Sequence, residues 1–352
     1  MTDRDATPPA LPVVVSDEHR HHDPPYELNA GQRVAPVWER PARVDAILEG
    51  LPDTDRVPAR THGDDAVLAV HDAEMVRFLR DGHAAWRAAG GPEVMIPDTF
   101  RSPRWAAGGR RTSSALGEAG WWCVDTATPV VAGTFRAARA AVDVALTAAD
   151  LVVDGAGVAY GLTRPPGHHA GRDYFGGFCL LNHAAIAARH LLAGGPVAVL
   201  DVDVHHGNGT QDLFWRDDAV LYVSLHADPD HAFPFFSGFG DEVGAGPGRG
   251  TTRNVPLAPG TGDDAYLAAL DAACEELLAF APAALVVSLG LDTSRHDPMG
   301  PLELTTAGLA GIGRRIAALG VPTVLLQEGG YALDHLGAQV RAVLDGVGAP
   351  RG

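Results

Sequence analysis

The chain has 352 residues, 46% of them hydrophobic and 20% charged, with a formal net charge of −17. This balance describes a globular protein with a large core. It excludes nucleic acid as an expected partner and makes a cationic ligand easier to attract than an anionic one. No apolar run approaches the roughly 20 residues needed to span a bilayer, so no membrane partner is expected.

The opening segment, Met1-Thr-Asp-Arg-Asp-Ala-Thr-Pro-Pro9, is polar and carries no secretory signature. Apolar runs predict strands at Leu11–Val15, Val158–Thr163, Val197–Asp203, Ala219–Leu225, Ala284–Gly290 and Thr323–Gln327. Helical patterns fall between them, at Thr134–Asp150, His183–Ala193, Asp263–Ala279 and Thr306–Ala318. Such alternation predicts an α/β fold of three αβα layers, a mainly parallel sheet with helices on both faces, in one domain over 1–352. Two stretches break the pattern. Residues 87–133 carry Gly, Pro, Arg and three tryptophans (Trp105, Trp121, Trp122), and residues 226–262 are rich in Gly, Pro and Phe. Structureless loops of that length are usually lids, binding loops or interface elements, and their aromatics argue against disorder. Cys123, Cys179 and Cys274 have no metal spacing and read as reduced thiols, which with the polar start predicts a cytoplasmic protein. Every basic residue besides histidine is Arg, a bias that carries no function.

The run Val197-Ala-Val-Leu-Asp-Val-Asp-Val-His-His-Gly-Asn-Gly-Thr210 is the most informative stretch. Strand alternation puts Asp201, Asp203 and His205 on one face, with Val202, Val204 and His206 on the other. Two carboxylates and an imidazole on a buried face stay under-satisfied without a cation. Three further polar clusters fall at the carboxyl ends of predicted strands: Arg164-Pro-Pro-Gly-His-His-Ala-Gly171, Ser288-Leu-Gly-Leu-Asp292 and Glu328-Gly-Gly-Tyr331. Ligands of open α/β sheets bind outside those ends. Asp292 is the natural third ligand beside Asp203 and His205, a set that suits Zn²⁺ and also Fe²⁺ or Mn²⁺. His168 and His169 follow a rigid Pro-Pro-Gly turn and make sense as an acid/base pair, one imidazole oriented by Asp201 and the other by Asn208. The carboxylate favours imidazolium more than the amide does, which separates the two pKa values. Tyr331, after two glycines, is placed to donate to an oxyanion.

Together these motifs resemble the histone deacetylase superfamily, with its arginase/deacetylase fold, from Ser16-Asp-Glu-His19 to Glu328-Gly-Gly-Tyr331. The resemblance implies Asp203, His205 and Asp292 as zinc ligands, His168 and His169 as the acid/base pair backed by Asp201 and Asn208, and Tyr331 as the carbonyl-polarising group. It implies Phe178 and Phe233, with Gly177 and Gly329, along a substrate tunnel. It also implies a structural monovalent-cation site, usually K⁺, at Asp201, Asp203, His205, Ser224 and Leu225. Within the superfamily the chain is most similar to bacterial acetylpolyamine amidohydrolases, through Ser102-Pro103-Arg104, Gly117-Glu118-Ala-Gly-Trp-Trp-Cys123 and Leu225-His-Ala-Asp-Pro229 running into Phe233-Pro234. That likeness implies a homodimer joined through the 87–133 insert, a tunnel narrowed for small acetylated amines, and Glu118 facing a distal ammonium. Phe178 stands where that family often has Tyr. Alternatives stay open: an acyl-lysine deacetylase with the same machinery, a two-metal ureohydrolase of the related fold, for which the clusters hold too few acids, and a non-catalytic acetyl-amine binding module.

Overall fold

The computed structural model of the chain describes residues 11–102, 104 and 109–348. Pro103, Trp105 and the opening segment 1–10 lie outside the described residues. The strands are β1 (Val13–Val15), β2 (Glu27–Asn29), β3 (Gln32–Val34), β4 (Arg56–Pro58), β5 (Val158–Gly161), β6 (Val197–Asp201), β7 (Val220–Ala227), β8 (Thr252–Leu257), β9 (Ala284–Leu289) and β10 (Thr323–Gln327). β2 and β3 form a separate antiparallel hairpin. The other eight build one sheet in the order β4-β1-β5-β10-β9-β6-β7-β8, with every neighbouring pair parallel.

The sheet is sandwiched because its strands are apolar on both faces, as parallel sheets require. On one face Val14, Val197, Val199, Val286, Val324 and Leu326 pack into a cluster with α3 (Ala73–Ala88), α5 (Thr134–Val153) and α6 (His183–Leu191). On the other, Val13, Ala198, Leu200, Leu285, Val287 and Leu325 pack against α1 (Ala42–Gly50), α8 (Asp263–Phe280), α9 (Thr306–Leu319) and α10 (Leu333–Gly348). Two short helices, α2 (Asp65–Leu68) and α4 (Ala115–Trp122), join the first cluster through Val67 and Trp122, and α7 (Asn208–Phe214) follows β6. Among the described residues no helix is long and apolar enough to cross a membrane.

Three expectations need correction. The long stretches are not structureless: 87–133 contains α4, and 226–262 contains β8, which extends the sheet edge beside β7. The strand predicted over 197–203 ends at Asp201, so Asp203 and His205 sit in the turn beyond it. For the same reason His206 leaves the Val202 face. Its ring lies 4.7 Å from that of His226 and 6.1 Å from that of Tyr222, centroid to centroid, and Tyr222 belongs to the opposite cluster.

Candidate active site

The four polar clusters follow β5, β6, β9 and β10, which occupy four adjacent places in the sheet, β5-β10-β9-β6. Residues distant in sequence therefore converge above the carboxyl edge of its centre. Ligand atoms of Asp203, His205 and Asp292 lie within 4.8 Å of one another, and all three residues belong to the buried interior of this edge. His205 Nδ1 stands 3.2 Å from Asp203 Oδ1 and 3.3 Å from Asp292 Oδ2. One ring nitrogen cannot serve both carboxylates, and Asp292 Oδ2 has no hydrogen-bond partner although fully buried. The remaining oxygens are held by backbone: Val204 N–H donates to Asp292 Oδ1 (3.0 Å) and Gly329 N–H to Asp203 Oδ2 (2.8 Å). Burial, and then the neighbouring Asp203 charge, push the Asp292 carboxyl up to about 7. A fixed, orphaned carboxylate oxygen facing a second carboxylate and an imidazole fits a divalent cation.

Gly329 is required by close approach. A Cβ there would fall 2.1 Å from Asp292 Oδ2 and 2.7 Å from Asp203 Oδ2. Gly329→Ala is expected to cut divalent-metal affinity at least tenfold, since displacing a supporting contact typically costs about 10–100-fold. Equilibrium dialysis of the variant checks this. Wild-type affinity would show that the carboxylates tolerate the displacement.

The histidine pair is oriented from behind. His168 Nδ1 lies 3.0 Å from Asp201 Oδ2, which also accepts from the Tyr222 hydroxyl at 3.1 Å. His169 Nδ1 lies 2.7 Å from Asn208 Oδ1. The two rings are 4.0 Å apart, centroid to centroid. Burial alone would lower both, but the Asp201 and Asp203 carboxylates outweigh it at His168 and raise it to about 10. His169, with only an amide behind it, is driven well below the ordinary imidazole range by burial and by the charges of His168 and His205. The predicted asymmetry is present.

Above this floor a cavity of about 590 Å³ is lined by His168, His169, Gly177, Phe178, Asp203, His205, Phe233, Gly329 and Tyr331. Phe233 meets His169 edge to face at 4.9 Å, and Phe178 meets Tyr331 at 5.6 Å. Phe178 has φ +66°, a strained value for a non-glycine residue that indicates an imposed wall position. Thr128 Oγ1 accepts the Phe178 N–H at 2.9 Å, and Asp125 accepts that of Gly177. Residues 125–127 also line the cavity, so the end of the 87–133 insert does border it. Glu118 does not. On α4 its carboxylate is drawn off by Arg77 (3.2 Å) and Arg111 (3.7 Å), and it lies outside the cavity lining. Ser224 lies opposite Asp201 in the β6–β7 register, with Leu225 next to it, and Ser224 Oγ bonds His226 Nδ1 at 2.8 Å.

Several supporting residues escaped sequence reasoning. Buried Arg43 donates to Gly330 O (2.7 Å), lies 4.7 Å from the Tyr331 ring centre, and pairs with Glu39, which also binds Arg164. Asp297 Oδ2 accepts the N–H groups of Tyr331 and Ala332 at 2.6 and 3.1 Å. Glu328 accepts the N–H of Gly167 at 2.6 Å, tying the tyrosine turn to the histidine turn. Of these, only Arg164 and Glu328 lay inside recognised motifs.

Among known proteins, the chain is 43% identical over 338 residues to acetylpolyamine amidohydrolase 1 of Pseudomonas aeruginosa, covering 95% of this chain and 97% of that one. It is 41% identical to the acetylpolyamine amidohydrolase of Mycoplana ramosa, covering 95% and 99%. The crystal structure of acetylpolyamine aminohydrolase from Burkholderia pseudomallei superposes with a TM-score of 0.92 at 39% identity, covering 97% of this chain and all of that one. Fold, site and relatives define a hydrolytic deacetylase acting on amide bonds. The family model described as histone deacetylase domain matches residues 37–347, and the chain belongs to that family.

Proposed function

We propose that the protein is a zinc-dependent amidohydrolase that removes acetyl groups from acetylpolyamines, with Asp203, His205 and Asp292 as the metal ligands. The observation that carries this reading is the buried, unpartnered Asp292 Oδ2 facing Asp203 and His205 at the cavity floor. When bound, the ion supplies Lewis-acid activation of water and of the amide carbonyl. The chain's own residues do the rest. Asn208 takes His169 Nδ1–H, which leaves Nε2 free as the base that accepts the water proton and passes it to the departing nitrogen. His168, held as imidazolium by Asp201, stabilises the developing negative charge. The Tyr331 hydroxyl donates to the oxyanion. The water oxygen bonds the acetyl carbon, the C–N bond breaks, the nitrogen leaves with the proton His169 carried, and acetate and amine are the products. Phe178 and Phe233 both line the cavity and would flank a slender alkyl chain.

The substrate class rests on the relatives' names and on the cavity's charge. Its described lining includes the carboxylates of Asp125 and Asp203 and neither Arg nor Lys, so its basic side chains are imidazoles, with the imidazolium of His168 paired to Asp201 at the floor. K⁺ would sit among Asp201, Asp203, His205, Ser224 and Leu225, bracing the ends of β6 and β7. Two chains joined through the insert would narrow the mouth further.

Acetate release from N-acetylputrescine, N8-acetylspermidine and an acetyl-lysine peptide tests the reading. Both acetylpolyamines should exceed the peptide in kcat/KM by at least about tenfold, or ~1.4 kcal/mol of transition-state preference. Chelation should abolish all turnover, and Zn²⁺ should restore it. A peptide equal to the polyamines would make the protein an acyl-lysine deacetylase. Turnover that survives chelation would remove the metal from the mechanism.

A further inference from the structure

The Asn208 side chain stands between two groups. Its Oδ1 faces His169 Nδ1 at 2.7 Å, and its Nδ2 donates to the Tyr174 hydroxyl oxygen at 3.3 Å. That hydroxyl in turn donates to the Asn208 backbone carbonyl at 3.4 Å. An amide has two nearly isosteric orientations, and its neighbours decide between them. The phenol proton is engaged by a carbonyl, which can only accept. Toward the amide the phenol oxygen then accepts, which favours the NH₂ end facing Tyr174 and the carbonyl end facing His169. In that orientation His169 carries its proton on Nδ1.

We infer that Tyr174 sets the polarity of the Asn208 amide and, through it, the tautomer of His169. Tyr174 is a positioning residue that touches neither the cavity floor nor the metal ligands. The inference deepens the proposed function and rests on it only where His169 is the base, because the opposite tautomer puts a proton on the nitrogen that must receive one. His168 needs no such device, since the Asp201 carboxylate has no donor end. Position is not left to chance either. Gly171 lets the Tyr174 ring lie flat against the backbone, where a Cβ would come within 2.2 Å of ring carbon Cε1. Tyr174 and Asn208 together border a surface cavity of about 370 Å³, with Gln211, Asp212 and Trp215. Without the hydroxyl, water from that cavity would meet Nδ2, and water donates and accepts equally well.

The test is Tyr174→Phe in the full-length protein, alone and in an Asn208→Asp background. ¹⁵N NMR of the imidazole nitrogens should show His169 purely Nδ1–H in the parent and a mixture with Nε2–H in Tyr174→Phe. kcat should fall roughly two- to tenfold, the effect of about one net hydrogen bond, with KM unchanged. Aspartate at 208 has no donor end to misplace, so the Phe substitution should then change kcat by less than about twofold. A generally structural role for Tyr174 predicts equal losses in both backgrounds, and that result overturns the inference. So does an unchanged His169 tautomer in Tyr174→Phe. A mixed tautomer with undiminished kcat upholds the inference and instead removes His169 as the base.

Discussion

Asp292→Asn should abolish zinc binding and lower kcat/KM by at least roughly a thousandfold, because the metal contributes several kcal/mol to transition-state stabilisation. The substitution also separates metal binding from folding. Asn keeps the oxygen that accepts from Val204 N–H at 3.0 Å, so the turn after β9 is preserved. In the metal-free protein it should stabilise. The Asp292 carboxyl is pushed up to about 7, so its protonated form favours the fold and its ionised form opposes it. Between the ordinary carboxyl value of about 3.9 and 7, stability from this group is lost as pH rises. At about pH 8, two carboxylates then share one His205 ring, and removing one leaves a balanced pair. Metal-free Asp292→Asn should therefore melt higher than metal-free wild type at that pH. With excess Zn²⁺ the order should reverse, since only wild type gains linkage stabilisation, about 2.7 kcal/mol at a hundredfold excess over Kd. Calorimetry of both proteins, with and without the ion, checks both signs. A variant whose melting temperature still rises with Zn²⁺ would place the ion elsewhere.

That the candidate cation site was readable at all follows from local chemistry. Asp201, Asp203 and His205 sit within five positions of one another, and acids embedded in an apolar run can be interpreted without knowing the fold. Asp292 and the histidine pair were readable because each follows a strand of the same parallel sheet, whose carboxyl ends share one edge. The supporting shell was not. Arg43 reaches Gly330 across 287 positions, and Arg164 reaches Glu39 across 125, so no local pattern links them. β4 is three residues long and β8 carries Arg253 and Pro256, too little apolar text to register as strands. Glu118, implied as a ligand contact by the family resemblance alone, is paired within this chain with Arg77 and Arg111, partners that no local pattern announces.

Tyr331→Phe should lower kcat by roughly 10²–10³, the usual effect of removing one oxyanion donor, with KM and zinc content close to wild type. The prediction is sharp because everything that places the ring acts on parts that Phe retains. Asp297 holds the backbone N–H groups of residues 331 and 332, and Arg43 holds Gly330 O and covers the ring face at 4.7 Å. Phe178 meets the ring edge at 5.6 Å. Only the hydroxyl is lost. Burial, followed by the charges of Asp292 and Asp203, raises this phenol well above its ordinary range, against the opposing effect of Arg43, so it stays protonated and able to donate wherever the fold persists. The activity lost should accordingly be independent of pH on the alkaline side, and acetate affinity as product should fall less than kcat, because a donor aimed at the oxyanion acts mainly in the transition state. A rise in KM alone, with kcat intact, would make Tyr331 a substrate contact and leave the carbonyl to be polarised by the metal and His168.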